Sequence, residues 1–329
     1  MKPKILITRP LFPDVVDRLR VYFDVTINEG PRYSSEQLHA ALMDMDGAII
    51  AGGEKIDEAV VKGLPKLRAI CVSAAGYNNV DSAALTRAGI IGTNSPGPAD
   101  ETVADFTWGL MIATARRLVE AAHWVEQGQW KNSTGSRWFG ANVCDKTLGI
   151  MGMGRIGQAI ARRAVGFRTK VIYYNRRRVD PAIEAEVRAE YRDKDELLAE
   201  ADLVVLAMPY TAENYHLIGA RELGLMRSSA MLFNIARGGL IDEVALAAAL
   251  KENRIAAVGL DVFEGEPAVY PGLMGLPNAV LTPHIAGGTA AAQHGLADLA
   301  ADNLIAALGL GPMAGKPPSV FNPEVLRNG

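Results

Sequence analysis

Twice along this chain, short apolar runs alternate with amphipathic stretches, and the alternation restarts after an irregular insert. The first series reads KILIT (4–8), DVTIN (24–28), DGAIIAGG (46–53), LRAICVSAA (67–75) and IIGTN (90–94), with helical patterns between the runs. Turn-forming NSPGPAD (94–100) closes it, one long helical pattern covers about 101 to 127, and residues 128–146 show no regular period. The second series reads LGIMG (148–152), KVIYYN (170–175), DLVVLAM (202–208), AMLFNIA (230–236), VGLDVF (258–263) and AVLTPHI (279–285). An Ala-rich helix from Thr289 to about Leu308 and a Gly/Pro-rich tail follow. Continuous apolar runs separated by helices predict parallel strands buried on both faces. With 329 residues and 49% apolar content, two doubly wound α/β units fit this pattern better than one large sheet.

Charge narrows the function classes. A net charge of −3 without any long like-charge block does not supply the basic field a nucleic-acid binder needs. The N-terminal apolar run before Arg9 and Pro10 is too short for a signal or a membrane span, so a soluble cytoplasmic protein is expected. Cys71 and Cys144 lack metal-type spacing and form no disulfide framework, so no metal site is expected.

The stretch LGIMGMGRIGQAIA (148–161) puts Gly152, Gly154 and Gly157 in G-x-G-x-x-G spacing between a strand and a helix. In a dinucleotide-binding βαβ unit the first glycine permits the tight turn, the second lets backbone approach the pyrophosphate, and the third lets helix and strand pack closely. Arg155 and Ile156, inside the motif, and Pro209, after DLVVLAM, join the expected cofactor-binding residues. The next strand ends VIYYNRRR (171–178). NAD-binding versions end that strand in an acid that takes the ribose 2′-OH. Asn175 stands there instead and cannot repel a phosphate, while Arg176 and Arg177 offer forked donors suited to one. NADP(H) is therefore the expected cofactor, with NAD(H) the weaker alternative; Arg178 has the least to do with it.

Taken together, KTLGIMGMGRIG (146–157), FNIARGGLIDEVAL (233–246), GLDVFEGEP (259–267), LTPHIAGGT (281–289) and SAAGYNNVD (73–81) resemble the D-isomer-specific 2-hydroxyacid dehydrogenases in order and spacing over nearly the whole chain. The likeness is strongest to the glyoxylate/hydroxypyruvate reductases and 2-ketogluconate reductases. It implies a Rossmann cofactor domain (100–289) inserted in a flavodoxin-like substrate domain (1–99 and 290–329). It also implies a homodimer joined through the region of the helix that begins at Glu101, whose apolar residues lie on more than one face.

Reduction of a 2-oxo acid needs a cation for the carboxylate, a proton donor for the carbonyl oxygen and a hydride source. Arg237 follows the strand AMLFNIA, where a guanidinium can grip carboxylate and carbonyl oxygen together. Among five histidines, His284 alone follows a strand-like run and matches the family's acid/base motif; a hydrogen bond donated to Glu266 would ready it as general acid. His39, His123, His216 and His294 are read as structural or surface residues. Asp261 either holds the nicotinamide carboxamide, as the resemblance implies, or is an ordinary strand-end acid. Ala75 and Gly76 either seat the substrate carboxylate on backbone N–H groups or form one more strand-to-helix turn. Thr102 either approaches the nicotinamide-side phosphate or caps its helix. Trp138 resembles an aromatic that some relatives extend into the partner subunit's active site. The competing class is a nucleotide-sensing, corepressor-like binding protein of the same fold with poor turnover.

Overall fold

The computed structural model describes residues 1–51 and 53–327. Gly52, in the expected strand segment 46–53, lies outside the described residues. The chain divides into two compact units, one built from Met1–Ala99 and the residues from Thr289 onward, the other from Asp100–Gly288.

In the first unit, β1 (Lys4–Ile7), β2 (Asp24–Ile27), β3 (Gly47–Ile50), β4 (Ala69–Val72) and β5 (Ile91–Thr93) form one sheet in the order β2-β1-β3-β4-β5, with every pairing parallel. The strands β3 and β4 are buried throughout, as GAII and AICV require. The helix Ala290–Ala307 covers one face through Ala300, Ala301 and Leu304, which cluster with Ile5, Ile49 and Cys71. Leu38, Leu42, Ile70 and Leu85 close the other face. Burial pushes the Cys71 thiol up to about 12, so it is an inert filler.

The second unit carries β6 (Thr147–Met151), β7 (Lys170–Tyr174), β8 (Ala189–Tyr191), β9 (Leu203–Leu206), β10 (Met231–Asn234), β11 (Ala257–Leu260) and β12 (Ala279–Leu281). Their order is β12-β11-β10-β9-β6-β7-β8, and all pairings are parallel. Strand order reverses between β6 and β9, the switch point at which open α/β sheets bind ligands beyond their carboxyl ends. No helix among the described residues is long and apolar enough to cross a membrane.

Two features differ from the sequence expectation. The strand β8 was not expected: three residues, AEY, between Arg188 and Arg192 carry too little apolar pattern to register as a strand. The helical pattern over 101–127 is two helices, Asp100–Ala115 and Leu118–Glu126. The break is at Arg117, which takes a left-handed φ of 55°. Its side chain bonds Glu120 and the carbonyl of Arg137, and these contacts offset the cost of that conformation.

One buried carboxylate, held by two partly exposed cations, sets part of the acid stability. Glu222 opens the helix Ala220–Leu225 and accepts from Lys194 Nζ at 2.9 Å and Arg221 Nη1 at 2.9 Å. Burial works against the charge, but Lys194, Arg221 and the helix N–H groups hold the carboxyl down to about 2. A carboxylate lowered in the folded state stabilises fully above its unfolded value of about 4.3, and that contribution is lost as pH falls toward 2. Glu222→Gln should therefore lower Tm at pH 7 and show a much smaller deficit near pH 2. A Tm gap of equal size at both pH values, measured by thermal denaturation, would contradict this.

Candidate active site

The glycine turn sits at the carboxyl end of β6. Gly152 has a φ of 108°, and a Cβ on it would come within 2.6 Å of the backbone at Ala207 and Met208, so only glycine fits beside the end of β9. A Cβ on Gly157 would lie 2.2 Å from the Gly152 carbonyl oxygen, which fixes helix Arg155–Ala164 tight against the turn. At Gly154, the N-cap of that helix, no side chain caps the N–H groups, and an added Cβ would meet no atom within 4 Å. An uncapped, open helix N-terminus fits a dinucleotide pyrophosphate. Ile156 is half-buried in the first turn. Arg155 turns to Asp100, its Nε 2.6 Å from the carboxylate.

Asn175, just past β7, accepts the Met153 N–H with its side-chain oxygen at 2.8 Å, so the amide is tied to the glycine turn. Arg176 and Arg177 are exposed beside it, Arg176 lying 3.6 Å from the equally exposed Glu213. Arg178 is drawn away: it pairs with Glu184 at 2.6 Å, and Glu184 also accepts from Tyr173 Oη at 2.5 Å. Arg178 and Tyr173 hold the Glu184 carboxyl down to about 2. Pro209 is exposed past β9, with its carbonyl bonded to Asn214.

Arg237, Glu266 and His284 follow β10, β11 and β12, three adjacent parallel strands, so all three arise at one edge of one sheet. Glu266 Oε2 lies 2.8 Å from His284 Nδ1, and Glu266 Oε1 accepts the Phe263 N–H at 3.0 Å. A carboxylate only accepts, so Nδ1 carries the proton and Nε2 faces away from Glu266. His284 is 47% exposed at its side chain and adopts a φ of 54°, a strained conformation of the kind that clusters at functional sites. Burial pushes the Arg237 guanidinium down from its ordinary value, and the charge of Glu266 opposes that shift.

Asp261 is fully buried and is spent on structure. One carboxylate oxygen accepts from Thr282 Oγ1 at 2.7 Å and the Ile285 N–H at 2.9 Å; the other accepts the Ala286 N–H at 2.8 Å. These bonds bracket His284. Sequence inspection gives no hint of this, because a strand-end Asp looks alike whether it meets a ligand or a neighbouring loop.

In the first unit, Ala75 and Gly76 follow β4. Asn94 Nδ2 donates to the Ala75 carbonyl at 2.6 Å, and the Ser95 N–H donates to Ala74 at 2.9 Å. Asn94 and Ser95, legible only as part of a domain boundary, therefore brace this turn. Thr102 lies inside the first turn of helix Asp100–Ala115. Trp138 is half-buried, edge-on to Trp124 at 5.5 Å and faced by Arg117 and Arg137 at 5.0 and 5.3 Å, so its ring packs within its own chain. Four groups follow adjacent strands of the sheet whose β6 ends in the open glycine turn: a guanidinium, a carboxylate, an imidazole and a buried anchoring acid.

Such a fold and edge define a nucleotide-binding α/β protein of the dehydrogenase class. Residues 108–286 match the NAD binding domain of the D-isomer specific 2-hydroxyacid dehydrogenases. A glyoxylate reductase of Thermococcus gammatolerans is 45% identical, covering 99% of this chain and 98% of its own. Glyoxylate/hydroxypyruvate reductase B of Klebsiella pneumoniae is 42% identical over 94% of this chain and 96% of its own. Among solved structures, the NADPH-dependent glyoxylate/hydroxypyruvate reductase of Sinorhizobium meliloti, in complex with NADP and malonate, aligns with a TM-score of 0.85 and 30% identity, over 98% of this chain and 97% of its own. The chain belongs to the D-isomer specific 2-hydroxyacid dehydrogenase family. The corepressor-like alternative finds no counterpart in these three relatives.

Proposed function

We propose that this protein reduces glyoxylate or hydroxypyruvate to the D-2-hydroxy acid with NADPH, and that 2-ketogluconate is a further candidate substrate. The observation that carries this is the 2.8 Å contact between Glu266 and His284, at the edge that also presents Arg237. The Arg237 guanidinium binds the substrate carboxylate and draws the carbonyl oxygen with it, a forked contact that a point charge cannot reproduce. His284 Nε2 delivers the proton to the carbonyl oxygen, and Glu266 holds the ring by accepting the Nδ1 proton. The bound nicotinamide supplies the hydride. In the reverse direction the neutral imidazole takes the hydroxyl proton.

Gly152, Gly154, Arg155, Ile156 and Gly157 would hold the cofactor's pyrophosphate, with Pro209 a further cofactor-binding residue, and Arg176 and Arg177 beside Asn175 would take a 2′-phosphate. Ala75 and Gly76 of the first unit are assigned to the substrate carboxylate. Thr102 is assigned to the nicotinamide-side phosphate. Asp261 retains a role at the nicotinamide carboxamide only through the lone pairs its three structural bonds leave over.

The test is consumption of NADPH and of NADH by the purified protein with glyoxylate, hydroxypyruvate, 2-ketogluconate and pyruvate. Rapid oxidation of NADPH with one of the first three is expected. Tight nucleotide binding without turnover on any of them would refute the proposal. A homodimer belongs to the same proposal. The helix Leu118–Glu126 exposes Leu118, Val119 and Val125, and Phe139 is 78% exposed; Val119 and Phe139 line a groove of about 880 Å³ that reaches the edge strand β12. Apolar surface of this kind marks a protein interface, and sedimentation should give twice the 35.2 kDa chain mass.

A further inference from the structure

Arg237 and Glu266 stand on separate loops, and something must fix the distance between those loops. The segment around His216, which the chemistry above does not use, touches both. Its backbone runs beside the residues that follow Arg237: the His216 N–H donates to the Gly239 carbonyl at 2.8 Å, and Ile218 forms a parallel bridge with Ile241. Its side chains reach the other loop. His216 Nε2 lies 3.0 Å from Glu264 Oε2, Tyr215 Oη donates to Glu264 Oε1 at 2.7 Å, and the two rings stack at 3.8 Å. Glu264 is two residues from Glu266, and its own N–H donates to Glu243 Oε1 at 2.9 Å. The loops also press on each other, since a Cβ on Gly238 would come within 1.8 Å of the Phe263 carbonyl carbon and 2.2 Å of the Glu264 nitrogen.

Stability alone does not explain this clasp. The His216 and Glu264 side chains are 29% and 38% exposed, and ion pairs at such sites add little to folding. His216 also takes a φ of 50°, a conformation that costs free energy for a residue other than glycine. A strained residue that contributes little to folding, yet ties together two loops bearing reactive side chains, is best explained by the geometry it enforces.

We infer that His216, aided by Tyr215, is a positioning residue for the reduction: it grips Glu264 by its ring and Gly239 by its backbone, and so fixes the Glu266–His284 pair relative to Arg237. This deepens the proposed function and rests on its assignment of those three residues.

The test uses the full chain and four variants. His216→Gly removes the ring and relieves the φ; Glu264→Ala removes what the ring holds; His216→Gln keeps an N–H donor; Tyr215→Phe keeps the stack and loses one bond. With NADPH and glyoxylate, kcat should fall roughly tenfold to a hundredfold in His216→Gly and Glu264→Ala. The KM for glyoxylate and the NADPH Kd from fluorescence should change little, and His216→Gln should recover most of the rate. Tyr215→Phe, the variant least able to disturb folding, should show a smaller loss of the same kind. In parallel, nitrogen-15 histidine NMR follows the hydrogen-bonded Nδ1–H of His284, assigned by its disappearance in His284→Gln. That signal should persist in His216→Gln and vanish in His216→Gly. Wild-type kcat in His216→Gly, or an unaltered His284 signal there, overturns the inference. If the wild-type protein reduces none of the acids, the proposed function fails, and the NMR signal alone then decides whether His216 positions the pair.

Discussion

Replacing His284 with glutamine is expected to lower kcat by about a thousandfold, the scale of a lost general acid, while NADPH affinity stays near the wild-type value. Glutamine can still donate a hydrogen bond toward Glu266, so the loop keeps its anchor, but it has no proton to give at neutral pH. The binding half of the expectation follows from placement. His284 leaves β12, at the far end of the sheet from β7, where Asn175, Arg176 and Arg177 stand. Steady-state kinetics and a fluorescence titration of the same preparation separate the two. A His284→Gln variant turning over at close to the normal rate would remove the imidazole from the chemistry and the proposed mechanism with it.

The second large effect concerns the cofactor. Combining Asn175→Asp with Arg176→Ser and Arg177→Ser should move the ratio of kcat/KM for NADPH over NADH by about a hundredfold toward NADH, as expected for losing two charge-assisted hydrogen bonds. Aspartate can accept the Met153 N–H as Asn175 does now, so the turn keeps its shape while gaining a charge that repels a 2′-phosphate. Arg178 should be left alone. Its pairing with Glu184, and the bond from Tyr173 to the same carboxylate, hold the strand exit in place, and disturbing them would confuse a folding defect with a change of preference. A ratio that does not move in the triple variant would mean these side chains do not read the ribose.

The parallel strands are legible in the sequence because both faces are buried, so KILI, GAII, AICV and LVVL appear as unbroken apolar runs. The strand β8 is not legible, since AEY is stabilised by pairing with β7 and not by its own composition. The helix break at Arg117 is equally hidden: neither glycine nor proline marks it, and a distant carbonyl at Arg137 supplies the bond that sustains it. At the site, the chemical types of Arg237, Glu266 and His284 and their places after strands can be read in advance. Their supports cannot. Asn94 looks like a boundary residue until it is seen bracing Ala75, and His216 looks like a surface histidine until Glu264 and Gly239 are seen on either side of it. Each of these contacts joins residues far apart in the chain, which no local pattern encodes.

Asp261 reaches the His284 segment mainly through backbone N–H groups, at Ile285 and Ala286, with Thr282 as the one side chain involved. Peptide N–H groups are common to nearly every amino acid, so mutational drift at 285 and 286 can rewrite those side chains without shifting the imidazole. The aspartate has no such latitude: asparagine would set an amide against one of the peptide donors, and glutamate would carry its carboxylate one methylene away from the donors that Asp261 now meets.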